Sequence, residues 1–333
     1  MVLDDLKHGG ALDVIQTQFP NAPQPWIDLS TGINPWAYPR TEIAQGAMAH
    51  LPTRAENDAC RSAMAHAFGA PPGELLLSPG SELLIRLLPD LLPAKRIAIL
   101  TPTYGDHTTA WSRTGAEMIS TRDPLAHTDR ADIVIVCQPN NPDGRTFRPA
   151  DLMAAADQLA ARGGWLIVDE AYADLDPSLS IAPHAGRGGL IVLRSFGKFY
   201  GLAGLRLGAV IAPHGVRQLL AERLGIWPIS ATALAIGTRA YRDVEWQAQM
   251  RAQLAKAAAN LDDGLSTVGV KVVGGTSLFR YLDIDNAHAV WQHLAEHGLY
   301  VRRFAQSPKH LRVGLPANDA EAERLQRAFS LLT

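Results

Sequence analysis

Cysteine is nearly absent: 333 residues hold two, Cys60 and Cys137. Two are too few for a disulfide framework, and neither stands in a metal-ligand spacing, so both read as small buried apolar residues. Charge of one sign is missing too. Lys and Arg number 31 against 33 Asp and Glu, a formal net charge of −2, which gives no bulk attraction to nucleic acid or to an anionic membrane surface. No apolar run reaches the roughly 18 residues that a spanning helix needs. The first ten residues carry Asp4, Asp5 and Lys7 and no apolar signal core, so the expected compartment is the cytoplasm. No Gly-x-Gly-x-x-Gly follows the first strand candidate, which argues against a plain dinucleotide-binding protein. Internal repeats, low-complexity tracts and long charge runs are also absent.

What is present is a 47% apolar chain able to bury a large core in one to three domains. Residues 1–40 hold His8-Gly9-Gly10 and Asp28-Leu-Ser-Thr-Gly-Ile-Asn-Pro, whose glycines, asparagine and prolines predict an ordered irregular arm with turns and no helix. A helix is expected over Arg54–Phe68, ended by Gly69 and a Pro-Pro pair. Strand candidates follow at Glu74–Ser78, Arg96–Leu100, Ala131–Gln138, Trp165–Val168, Leu190–Ser195 and Leu205–Ala212. Helices are expected at Ser81–Leu92, Asp106–Thr114 and Ala150–Arg162. Runs such as Asp132-Ile-Val-Ile-Val-Cys lack polar alternation, the mark of strands covered on both faces in a mostly parallel sheet. The last of these strands follows its predecessor too closely for a helical crossover, so it is expected to run antiparallel. Beyond Trp227-Pro228, residues 231–263 predict one or two long helices. A mixed block follows: strands at Val270–Val273, Ser277–Ile284, Tyr300–Phe304 and Leu311–Leu315, and helices at Ala287–His297 and Asp319–Leu332. The expectation is therefore an α/β chain of three parts: an arm (1–40) packing with the small domain, a large domain (41–230) and a small α+β domain (231–333).

The chemistry centres on residues 194–209. Lys198 leaves the apolar run Leu190–Phe196 into a loop with glycines at 201, 204 and 208, and Arg206 stands eight residues later. A lysine so placed suits a Schiff base with an aldehyde cofactor. Ser195 and Arg206 bracket it with a hydroxyl and a permanent cation, a pair suited to a phosphate. Asp169 ends a strand and would be costly unless paired, as with a protonated pyridine nitrogen; Tyr172 is three residues on. Gly80, Ser81 and Glu82 open a helix whose free N–H groups would cradle an anion. Tyr104 follows another strand and offers a stacking ring, and Asn141, in Pro139-Asn-Asn-Pro-Asp-Gly, sits beyond a strand's carboxyl end, where ligands of open α/β sheets bind. Arg312, among apolar residues, needs an anion such as a carboxylate. Taken singly, each has a plainer reading: a surface lysine, helix caps, a rim aromatic, a tight turn, an edge-strand arginine turned to water.

Their order discriminates. Gly-Ser-x, Tyr, Asn-Pro-x-Gly, Asp-x-x-Tyr, Ser-x-x-Lys and an arginine at plus eight resemble the fold-type I pyridoxal-phosphate enzymes, the aspartate aminotransferase superfamily, across nearly the whole chain. The resemblance implies pyridoxal 5'-phosphate as cofactor and no metal. It places Lys198 at the aldehyde, Asp169 at the ring nitrogen, and Asn141 and Tyr172 at the phenolic oxygen. Gly80, Ser81, Ser195 and Arg206 fall at the phosphate and Arg312 at the substrate carboxylate, and active sites are expected at a homodimer interface.

The arm narrows the resemblance. His8-Gly-Gly with Asp28-Leu-Ser-Thr-Gly-Ile-Asn-Pro is similar to the threonine-phosphate decarboxylases of cobalamin biosynthesis, close relatives of histidinol-phosphate aminotransferases. The chain departs from them at Ala11, at Gly32 and at Leu51-Pro52, where relatives carry a Tyr-Pro. The substrate implied is a phosphorylated amino acid, with Arg302, His8 and the Gly9 and Gly10 amides at its phosphate and Asn141 also against the substrate. Arg303 is expected on the other face of its strand, turned to solvent. The implied reaction is decarboxylation of L-threonine O-3-phosphate to (R)-1-amino-2-propanol O-phosphate, and the alternative is a histidinol-phosphate-type aminotransferase. The two differ in which Cα bond lies perpendicular to the ring, a matter of how the substrate is clamped. A non-catalytic regulator on the same scaffold would carry an added helix-turn-helix domain, for which 333 residues leave no room.

Overall fold

The computed structural model describes residues 8–39 and 48–332. The boundary expected at residues 40 and 41 and the leader residues 1–7 lie outside them. The described residues divide into two compact units. The smaller gathers residues 8–36, 142–144 and 249–332, and the larger holds 37–39, 48–141 and 145–248. No described helix is long and apolar enough to cross a membrane.

The arm is more regular than its glycines and prolines suggest. It forms a short helix, α1 (Leu12–Gln18), then a strand, β1 (Ile27–Leu29). The turn formers stand outside α1, at Gly9, Gly10, Pro20 and Pro23, while the segment itself holds none and buries Ile15 completely.

The larger unit opens with α2 (Arg54–Phe68). Thr53 and Glu56 close a capping box at its start, and Gly69 ends it at φ 65°. The alternation then runs β2 (Leu75–Ser78), α3 (Ser81–Leu91), β3 (Arg96–Leu100), α4 (Gly105–Trp111), β4 (Glu117–Thr121), β5 (Ile133–Cys137), α5 (Pro149–Ala160), β6 (Trp165–Asp169), β7 (Leu190–Ser195) and β8 (Gly208–Ile211). The strands form one sheet in the order β2-β8-β7-β6-β5-β3-β4. β8 runs antiparallel to both neighbours and every other pairing is parallel. The antiparallel expectation for the last strand holds, but the strand starts at Gly208, because residues 203–205 form a tight turn and Arg206 takes a left-handed φ of 52°. Ile97, Ile99, Ile133, Ile135, Ile167 and Ile191 pack under α3 and α4 on one face. Val134, Val136, Leu166 and Val168, which alternate with them, are fully buried on the other.

In the larger unit two further elements carry little sequence signal. β4 lies at the sheet edge with no fully buried residue, so it lacks the apolar run that marks an inner strand. The helix α6 (His214–Leu224) buries only Val216 and Leu220 and so has little amphipathic signal. α7 (Ala231–Arg242) packs on α2, with Gly237 at the crossing, where an added Cβ would meet Leu207 Cδ2 at 2.4 Å.

From α8 (Val244–Thr267) the chain enters the smaller unit: β9 (Lys271–Thr276), β10 (Phe279–Asp283), α9 (Ala287–Glu296), β11 (Leu299–Phe304), β12 (Ser307–Gly314) and α10 (Asp319–Ser330). Its sheet has the order β1-β11-β12-β10-β9, with the arm strand β1 parallel to β11. β12 is thus an inner strand, not an edge.

Candidate active site

Lys198 sits on a loop that its aromatic neighbours hold fast. Phe196, Phe199 and Tyr200 are all buried, with Phe196 stacked on Tyr200 at 4.5 Å and Tyr200 on Trp246 at 5.6 Å. The Tyr38 N–H donates to the Tyr200 carbonyl at 2.9 Å and the Tyr38 hydroxyl to Asp243 at 3.0 Å. Gly197 is required where it stands, since a Cβ would lie 2.8 Å from the Ala203 Cα. Apolar packing therefore fixes the loop and leaves the half-buried Lys198 amine facing a cavity of about 130 Å³.

The cavity is lined by nine of the residues singled out in the sequence: Ser81, Glu82, Tyr104, Asn141, Asp169, Tyr172, Ser195, Lys198 and Arg206. Cys137, Pro139 and Ala171 complete it. The residues come from the carboxyl ends of β5, β6 and β7, from the segment after β3 and from the start of α3, as an open α/β sheet requires.

Asp169 ends β6, only 4% exposed. One carboxylate oxygen accepts the Ala171 N–H at 3.1 Å, so the plainer reading as a backbone cap is half of its role. The other lies 2.9 Å from His107 Nε2. His107, on α4 and fully buried, was missed in the sequence. Burial is the largest influence on its imidazole and pushes the pKa down, but hydrogen bonds with Asp169 and Cys137 prevail and raise it to about 10. The His107 imidazole is thus the buried partner of the Asp169 carboxylate. Cys137, expected as packing, forms cavity wall beside both. The ligand atoms of the three lie within 4.8 Å of one another.

At the anion-binding end, Gly80 takes φ 83° at the start of α3, and a Cβ there would meet Arg206 Nη2 at 2.6 Å. The missing side chain lets Arg206 approach the helix N-terminus, whose N–H groups and dipole favour an anion. Gly208 serves the same end, since its Cβ would lie 2.7 Å from both the Arg194 carbonyl and the Gly80 carbonyl carbon. Tyr104 donates to Asp106 at 3.0 Å, fixing its ring at the cavity edge. Beneath the site, Arg194 joins Glu170 (2.8 Å) and Asp174 in a buried ion network that ties the segment after β6 to β7.

The residues assigned to substrate all lie in the smaller unit except Asn141. Arg312 on β12 is 5% exposed and donates to the Ser30 carbonyl, which removes the reading as an edge-strand arginine turned to water. Arg302 on β11 stands directly opposite it across the antiparallel pair. Arg303 corrects an expectation: it is half-buried over the Trp291 ring at 4.6 Å and 3.2 Å from His288, because its long stem covers apolar surface. His8 is exposed, with its carbonyl accepting from the Tyr300 hydroxyl at 3.3 Å, and Gly9 packs on Ser30.

Residues 25–329 match the aminotransferase class I and II family. The chain belongs to that family. It is 40% identical over 327 residues to a threonine-phosphate decarboxylase of Sinorhizobium sp., covering 98% of each chain. With the threonine-phosphate decarboxylase of Pseudomonas aeruginosa it shares 38% over 326 residues, 97% of each. The fold superposes on the Sinorhizobium meliloti histidinol-phosphate aminotransferase in complex with pyridoxal-5'-phosphate with a TM-score of 0.84 at 20% identity, covering 99% of this chain and 96% of that one. This is the α/β fold of the fold-type I enzymes, and pyridoxal phosphate is the cofactor of this chain. The residues present fit it: an amine at Lys198, a buried carboxylate at Asp169 backed by His107, an aromatic face at Tyr104, and an anion cradle of Ser81, Ser195 and Arg206 at a helix start.

Proposed function

We propose that this chain decarboxylates L-threonine O-3-phosphate to (R)-1-amino-2-propanol O-phosphate, a step of cobalamin biosynthesis. The observation that carries the reading is the cross-strand pair Arg302 and Arg312. Residues directly opposite in a sheet put their side chains on one face, and like charges so placed destabilise it. Two cations on one face suit a doubly anionic ligand, and threonine phosphate offers a carboxylate and a phosphate. The names and near-complete coverage of the two threonine-phosphate decarboxylase relatives support the same substrate.

In this reading Lys198 carries the cofactor, Asp169 with His107 behind it keeps the ring nitrogen protonated, and Asn141 and Tyr172 serve the phenolic oxygen. Gly80, Ser81, Glu82, Ser195 and Arg206 surround the phosphate, with Tyr104 against the ring. The bound cofactor supplies the electron sink for the pair left on Cα when carbon dioxide departs. Arg312 takes the substrate carboxylate, and Arg302 with His8 and the Gly9 amide takes its phosphate. Two fixed anchors set the rotation about the Cα–N bond and so decide which Cα bond breaks. The Lys198 amine would return a proton to the substrate Cα.

The chain is further proposed to act as a cytoplasmic homodimer. Met48, Leu51, Ile226 and Trp227 are 83%, 59%, 80% and 55% exposed on the larger unit, large apolar side chains of the kind a partner subunit covers. Sedimentation at micromolar concentration showing only monomer would reject the dimer. The reaction is tested by incubation with threonine phosphate. Carbon dioxide release without amino transfer to 2-oxoglutarate is expected. Transfer of the amino group of histidinol phosphate, with no carbon dioxide from threonine phosphate, would instead make the chain an aminotransferase.

A further inference from the structure

Residues 8–10 of the arm are held through backbone groups. The Gly10 N–H donates to Ser30 Oγ at 2.8 Å, and the His8 carbonyl accepts from the Tyr300 hydroxyl at 3.3 Å. Ser30 is fully buried. Its own hydroxyl proton goes to Asp28 Oδ1 at 2.6 Å, and that oxygen also accepts the Ser30 N–H at 2.8 Å. The Ser30 oxygen is thereby turned with a lone pair toward Gly10. Gly9, between the two bonded residues, lies so close to Ser30 that a Cβ would stand 2.5 Å from its carbonyl oxygen and 2.8 Å from its Oγ. Tyr300 and Arg302, two apart on β11, share a face of the sheet. Finally, the carbonyl that Gly9 packs on is the one that accepts from Arg312 Nη2.

From these contacts we infer that Ser30 and Tyr300 are positioning residues forming a two-point backbone clamp on residues 8–10, and that the clamp couples seating of the arm to the orientation of Arg312. Ser30 faces two ways, its hydroxyl to the arm and its carbonyl to the arginine. The inference rests on the assignment of His8 and Arg312 to the two anionic ends of the substrate. It adds that neither end is set independently: an arm pushed off Ser30 also disturbs the carbonyl on which Arg312 leans. It also explains the glycine at position 9 by close packing.

The test uses the full-length holoenzyme and two readouts. Amide hydrogen exchange at Gly10 is expected to rise at least about tenfold in Ser30→Ala and in Tyr300→Phe, since either change removes one of two local bonds. The cofactor absorbance band and the melting temperature report that each variant is folded and loaded. In the same variants the preference for threonine phosphate over threonine, taken from kcat/KM, is expected to fall about tenfold, through KM and not kcat. Gly9→Ala presses on the Ser30 carbonyl itself, so it is expected to weaken threonine as well as threonine phosphate. Unchanged Gly10 exchange in both Ser30→Ala and Tyr300→Phe overturns the clamp. Raised exchange with an unchanged preference leaves the clamp standing and overturns the place of His8 at the phosphate. Loss of threonine phosphate alone in Gly9→Ala overturns the coupling to Arg312.

Discussion

The floor of the cofactor cavity and the arginine row of the smaller unit are both charged, yet they are built on opposite principles. In the cavity floor each buried charge meets its opposite: His107 with Asp169 at 2.9 Å, and Arg194 with Glu170 and Asp174. Those charges are paired by side chains of the same region. In the smaller unit two guanidinium groups stand opposite each other across β11 and β12, propped by a carbonyl and by the rings of Phe279 and Phe304. A charge network closed on itself supports structure and presets a cofactor. A row of like charges on one face suits a ligand of opposite charge.

The comparison can be broken at four points. The largest effect is expected at the one reactive group of the cavity: Lys198→Ala should lower turnover by about 10⁴-fold. Borohydride should fix pyridoxal on Lys198 in the parent chain, and a label found on Lys95 or Lys256 instead would remove the assignment. Next comes the buried network. Arg194→Met leaves Glu170 and Asp174 without their cation, and a loss of about 3–5 kcal/mol of stability is expected in urea unfolding; a melt like that of the parent would mean the network is not closed.

On the opposite side, Arg302→Ala and Arg312→Ala should each cost about 2–5 kcal/mol in kcat/KM, with little change in stability or even a gain from relieved repulsion. The two should differ in what they reject. Arg302→Ala should lose the preference for threonine phosphate over threonine, and Arg312→Ala should weaken both alike. A strongly destabilised Arg302→Ala would show that the row is structural after all.

The smallest effect is expected at His107. His107→Asn should lower turnover about 10- to 100-fold, by analogy with groups that orient a metal's ligands. It also carries a pH signature. A folded-state pKa raised to about 10 means that the charged imidazole stabilises the fold fully below its ordinary value near 6.5, and that this stabilisation is lost as pH rises through about 10. The apoprotein's melting temperature should therefore fall across that window in the parent chain and fall less in the variant. Parallel curves would mean that His107 is neutral throughout.

Much of this was legible in the chain. Lys198, Asp169, Tyr104, Asn141 and Ser81 each follow an apolar strand or open a helix, and a sheet delivers such positions to one edge whatever else varies. The inner strands were readable because burial on both faces leaves unbroken apolar runs. β4 and α6 were not, being an edge and a weakly buried helix. α1 was hidden by the turn formers around it. His107 carried one faint signal, its place three residues after Tyr104 at the start of a helix, which brings it to the same side.

The chemistry is written locally: an amine, a carboxylate and an anion cradle in a fixed order along strand ends, since the identity and order of side chains are local properties. The partnership of charges is set by the fold. Whether Asp169 meets His107, whether Arg194 lies closed between two carboxylates, and whether Arg302 and Arg312 face each other depend on register and on packing between segments far apart in the chain. A strand slipped by one residue would turn each side chain to the other face, so those pairings exist only once the whole sheet has closed.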